Sequence, residues 1–132
     1  MLTQVEFRSS KFPPYDGEQD EINEGLWGKR LAEHLCGALQ HAGIRANDYA
    51  IEDWGCYIPV FIGDVHIGVC CGHQYGDDDE FVIFTDPKQP VMRRWFKKID
   101  RTESFQKLLS ALKVILESDA EISDICWSNP DT

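Results

Sequence analysis

The chain reads as an α+β protein: one antiparallel sheet of about five to six strands with two long helices packed on it, a two-layer sandwich. Three observations predict it. Strand-like segments follow one another between residues 49 and 85 with only short turns between them, too close for parallel crossovers. Two segments, one over about 24 to 42 and one from Thr102 onward, repeat apolar residues at three- and four-residue steps along one face. The chain has 132 residues, 42% of them hydrophobic, which is the size and apolar content of a single domain over 1–132.

Residues 2 to 8 alternate, with Thr3, Val5 and Phe7 against Leu2, Gln4, Glu6 and Arg8, and predict a first strand. A loop over 9 to 23 follows, with Pro13-Pro14 and the acidic tract Asp16, Glu18, Asp20 and Glu21. It is long enough to be either functional or packed down by Phe12 and Tyr15. The first helix is predicted to start at an Asn23 N-cap, with Ile22 and Trp27 as its hydrophobic staple. Leu31, Leu35, Ala38, Leu39 and Ala42 form its stripe, and Gly43 ends it with Leu39 and Ile44 as the apolar pair of a Schellman cap.

Strands are predicted at 49–54, 57–62, 65–71 and 80–85, the middle two joined by Gly63-Asp64 as a two-residue hairpin turn. In 65–71, Val65, Ile67, Val69 and Cys71 share one face. The other face carries His66, Gly68, Cys70 and Gly72, with two glycines where a second surface can approach closely. After Pro90, the spacing of Val91, Met92, Trp95, Phe96 and Ile99 predicts a short amphipathic helix with Arg93, Arg94, Lys97 and Lys98 opposite, an edge strand being the alternative. Thr102 is read as the N-cap of the second long helix, whose core stripe is Phe105, Leu108, Leu109, Leu112, Ile115 and Leu116. Residues 122 to 127 close the order β-α-β-β-β-β-(α)-α-β.

Charge bounds the function. Thirteen basic and 23 acidic residues leave −10, which argues against a direct nucleic-acid binder or a membrane binder working through bulk electrostatics. Segment 88–101 is the exception: six basic residues and one acidic give it +5 and leave −15 on the rest. Two readings stand for it, an interaction surface or a patch that neutralises the protein's own acidic loops. The five cysteines, Cys36, Cys56, Cys70, Cys71 and Cys126, are odd in number and sit among apolar neighbours. With no signal-peptide pattern in Met1–Arg8, they point to reduced, buried thiols in the cytoplasm.

No residue pattern names a chemistry. Cys70, Cys71, His73 and His66 are the nearest approach to a metal set, but there is no Cys-x-x-Cys or His-x-x-x-His pair, so no metal or other cofactor is expected. Cys71 and His73 are the sole local thiol–imidazole pair and read as core packing. Glu52 and Asp53 are adjacent in a strand and point to opposite faces, so they form no dyad.

Several pieces together, Phe12-Pro13-Pro14, Ile22-Asn23-Glu24-Gly25, Gly28-Lys29-Arg30-Leu31-Ala32, Glu52-Asp53-Trp54-Gly55, Arg93-Arg94-Trp95-Phe96 and Ile125-Cys126-Trp127, span most of the chain. The combination resembles a group of small, stand-alone bacterial proteins with no assigned activity, and so carries over no site residue. Size and acidity also resemble the immunity and inhibitor proteins of bacterial conflict systems. That resemblance implies a non-enzymatic binding protein that occupies a basic surface of another protein, placing carboxylates where phosphates would lie. Asp77, Asp78, Asp79 and Glu80, with Asp16, Glu18, Asp20 and Glu21, are then the expected contacts, and Arg93, Arg94, Lys97 and Lys98 the alternative patch. The competing expectation is a small enzyme or ligand-binding domain with a pocket near Glu52, Trp54 and His73.

Overall fold

Alternation turns Val5, Phe7 and Ser9 inward along β1 (Gln4–Ser9), leaving Glu6 on the open face. The computed structural model describes residues 1–131. After β1 come α1 (Glu18–Glu21), α2 (Lys29–His41), β2 (Arg45–Ala46), β3 (Ala50–Glu52), β4 (Gly55–Ile62), β5 (Val65–Gly72) and β6 (Glu80–Asp86). They are followed by β7 (Val91–Arg94), β8 (Lys97–Asp100), α3 (Thr102–Glu117) and β9 (Ile122–Ser128).

Seven strands form one antiparallel sheet in the order β2-β4-β5-β6-β1-β9, with β3 also on β4. The fold class is therefore the α+β antiparallel sheet that the periodicities predict. Leu31, Leu35 and Leu39 of α2 and Phe105, Leu108, Leu112 and Leu116 of α3 are fully buried. They pack in one core with Val5, Phe7, Ile58, Val60, Ile67, Val69, Cys71, Phe81 and Ile83 of the strands. Each such side chain contributes roughly 1.5–3 kcal/mol by leaving water, which is what fixes the helices to this face.

The turn chemistry holds where it is local. Gly63 takes φ 58° between β4 and β5. Ile44 N–H donates to Leu39 O at 2.9 Å and Gly43 N–H to Gln40 O at 3.0 Å, the Schellman pattern, with Gly43 at φ 81°. The two strand glycines are also approached closely. The Tyr57 ring lies over Gly68, and a Cβ on Gly72 would meet Trp27 O at 2.7 Å.

Four expectations are corrected. The first helix starts at Lys29, not near residue 24, because residues 23–28 are a turn bridged to His73, and Gly28, not Asn23, is the N-cap. Inside the loop over 9–23 lies α1, one turn long. The segment 91–99 is no helix. It is an antiparallel hairpin, β7 with β8, paired Arg94↔Lys97 around Trp95-Phe96. Thr102 is the first helical residue and not the cap: Asp100 Oδ1 accepts from Thr102 N–H at 2.9 Å and from its hydroxyl at 2.6 Å. Of the tryptophans only Trp27 is buried. Trp54 and Trp127 are half-buried and Trp95 is exposed.

Candidate partner-binding cleft

The cleft is made by two chain segments that cross at glycines. Gly28 sits against Cys71 O, Gly55 against the same carbonyl and Gly72 against Trp27 O, approaches of 2.7–2.9 Å measured from where a Cβ would stand. Only residues without a side chain let the 22–28 turn lie directly on the end of β5. There Trp27 and His73 exchange backbone hydrogen bonds, at 3.4 Å and 2.7 Å. Their rings stack at 3.9 Å with 5° between the planes.

His73 is held on both ring nitrogens. Nδ1 lies 3.0 Å from Gly25 O and Nε2 3.0 Å from Asp77 O. Both neighbours are carbonyl oxygens, so the ring donates to one or the other according to its tautomer and sits wedged between the 22–28 turn and the 74–79 loop. Trp27 Nε1–H donates to Phe12 O at 3.1 Å, which brings the Pro13-Pro14 segment to the same place.

The result is an open cleft of about 690 Å³ floored by Trp27 and His73 and walled by Pro13, Pro14 and Leu26. Glu24, Asp78 and Asp79 stand on its rim, and no lysine or arginine lines it. Of the expected contacts, the structure brings Asp78 and Asp79 here. Asp77, Asp79 and Glu80 are gathered by Arg8, whose Nη1 is 3.2 Å from Asp77 and 2.8 Å from Asp79 and whose Nη2 pairs with Glu80. One guanidinium against three carboxylates leaves the loop acidic, with Asp78 outside the clamp.

Glu18 is not a surface contact. Its side chain is buried and serves the helix: Oε2 accepts from Gly28 N–H at 2.7 Å and Lys29 N–H at 3.0 Å, and Oε1 from Tyr15 N–H at 2.9 Å. Glu21 is exposed but paired with Lys29. Asp16 and Asp20 are exposed, lie on the neighbouring surface and make no ion pair among the described residues. Nothing in the local spacing separates Glu18 from its acidic neighbours. Its role follows from a helix start ten residues away.

Glu52, Trp54 and His73 do not converge. Trp54 packs tilted against Phe84 at 5.8 Å over a separate hollow with Cys70 and Lys88, His73 floors the cleft, and Glu52 lines neither. The thiols are free. Burial pushes Cys56 and Cys70 up to about 12 and Cys71 well above the ordinary thiol value. Cys36 is half-buried and Cys126, against expectation, exposed, because it stands opposite Glu6 on the open face of the sheet. Among the described residues no three metal-ligating side chains converge.

Arg93, Arg94, Lys97 and Lys98 are all exposed on the β7–β8 hairpin and make no ion pair among the described residues. The cation paired with the 77–80 loop is Arg8. No helix among the described residues is long and apolar enough to cross a membrane. Compared with protein-family models, curated proteins and solved structures, the chain matches none.

Proposed function

We propose that the chain is a binding protein of the immunity or inhibitor type, which neutralises another protein by covering a basic surface on it. The carrying observation is the cleft: three rim carboxylates, an apolar floor and no cationic side chain from lysine or arginine. Such a site takes a protruding arginine or lysine, whose aliphatic stem lies along Pro13, Pro14 and Leu26 while its charge meets Glu24 and Asp78, with Asp79 shared with Arg8. Where the partner handles nucleic acid, these carboxylates stand in for phosphates. Asp16 and Asp20 extend the field that steers the approach. The five free thiols suit a reducing, cytoplasmic setting.

An arginine-rich peptide tests this without knowledge of the partner. Titrated into the protein under amide NMR observation, it should shift Gly25, Gln74, Gly76 and Asp78 together, and the effect should shrink as salt rises. Glu24→Gln with Asp78→Asn should remove most of the response. Shifts scattered over all acidic surfaces, unchanged in that variant, would sink the cleft as the docking face.

A further inference from the structure

The β7–β8 hairpin is poorly arranged for its own stability. It pairs with no other strand, and a lone two-stranded ribbon is marginal in water. Two like-charge pairs stand directly opposite each other, Arg93↔Lys98 and Arg94↔Lys97, where opposite charges would help. Trp95 occupies the turn at φ 59°, a left-handed position that suits glycine and strains a bulky ring. The residue is 88% exposed and Phe96 fully so.

Two of these costs, the facing cations and the exposed rings, are met by one kind of surface: one that is anionic and offers an apolar layer just beneath its charge. We infer that the hairpin is a membrane-docking element, with Trp95 and Phe96 entering the headgroup interface of an anionic bilayer and the four cations lying against lipid phosphates. Indole and phenyl rings favour that interface, and each cation near it adds attraction. A convex tip with both aromatics at its apex fits a broad surface touched at one point. A nucleic-acid strand needs a basic track with ring platforms along it, and here the track ends at an acidic body.

The net charge of −10 opposes docking only if the body comes close. Strands of four residues reach about 13 Å, beyond the roughly 8 Å over which charges are felt at physiological salt. The cleft adjoins the Glu80 end of β6 and the hairpin follows its Asp86 end, so the two lie toward opposite ends of that strand. This inference is independent of the cleft reading.

Vesicle flotation tests it. The protein should float with phosphatidylcholine vesicles containing roughly a third phosphatidylglycerol, remain behind with phosphatidylcholine alone, and release as salt rises. Trp95→Ala with Phe96→Ala should abolish flotation. Neutralising Arg93, Arg94, Lys97 and Lys98 to Gln should weaken it at least about a hundredfold. Thermal melting of each variant should match the parent, since the hairpin lies outside the core. Bound protein should show blue-shifted tryptophan emission that Trp95→Phe loses. Glu24→Gln with Asp78→Asn should float like the parent, separating this result from the cleft's. Absence of flotation with anionic vesicles overturns the inference, as does flotation unaffected by the tip variants. Uptake of a single-stranded oligonucleotide in preference to vesicles would assign the hairpin to nucleic acid instead.

Discussion

The carboxylate of Glu18 receives the N–H of Gly28 at 2.7 Å and so closes the start of α2 from outside the helix. With Lys29 N–H at 3.0 Å and Tyr15 N–H at 2.9 Å, it satisfies three backbone donors at one buried point. A negative group here also meets the positive end of the helix dipole. The loop over 9–23 is thereby fastened to the helix that brings Leu31, Ala32, Leu35 and Leu39 into the core.

Glu18→Ala should therefore destabilise the protein by about 3 kcal/mol, since buried donors to a charged acceptor lose it together. Glu18→Gln keeps the shape and one acceptor oxygen and should cost about half as much. Denaturant titration with an unchanged slope measures both. Equal, negligible losses would mean that Phe12 and the Lys11–Asp119 pair hold the loop without Glu18.

The same contact explains which parts of the chain were legible in its sequence. The Gly43 cap, the Gly63-Asp64 turn and the leucine stripes are local, and each appears where its spacing places it. The start of α2 is not local. Ile22, Asn23 and Trp27 imitate an N-terminus, but the donors of Gly28 and Lys29 are met by Glu18, and Trp27 is claimed by His73. The 91–99 segment failed for a related reason. Its apolar residues fit a helical period, yet Met92↔Ile99 also fits a strand pair, and Trp95-Phe96 carries none of the residues that announce a turn. The cleft joins residues 9–27 to residues 73–79, a proximity no periodicity encodes.

Lys11 and Asp119 pair at 2.6 Å, and this contact sets an acid limit. The Lys11 ammonium, helped by the Glu121 N–H, holds the Asp119 carboxyl below its usual value. A lowered folded-state value means that the unfolded chain takes up the proton first as pH falls. The stabilisation is thus full at neutral pH and disappears as pH drops below about 4. Asp119→Asn should cost about 1–2 kcal/mol at pH 7, and the gap from the parent should narrow from about pH 4 downward, closing as pH falls through the lowered value of the folded state. Melting curves across that range decide it. A gap independent of pH would assign the loss to packing.

Thiol labelling separates the cysteines. Cys126 on the edge strand is exposed, whereas Cys56, Cys70 and Cys71 are buried and Cys36 is half-buried with its thiol donating to Asn47 O. Burial raises all four of these inner thiols, which lowers their thiolate fraction as well as their access. One thiol per chain should react quickly with an aromatic disulfide reagent in the native state, and Cys126→Ser should eliminate that phase. A second fast thiol would show that the sheet opens more readily than its packing implies.

Gly68 and Gly72 lie on the same face of β5, four residues apart, yet alanine should be tolerated very differently at the two. Over Gly68 lies the outer end of the Tyr57 ring, a side chain that can turn aside, so Gly68→Ala should cost about 1 kcal/mol, chiefly the lost ring contact. At Gly72 the obstacle is the backbone oxygen of Trp27 at 2.7 Å, and the residue sits at φ 155°, where an L side chain is strained. Neither can relax without pulling the 22–28 turn from β5. Gly72→Ala should cost about 3 kcal/mol or more. It should also unstack Trp27 from His73, visible as a change in near-ultraviolet dichroism that Gly68→Ala does not produce. If the two variants melt together with the same spectrum, the crossing at Gly72 does not hold the cleft in shape.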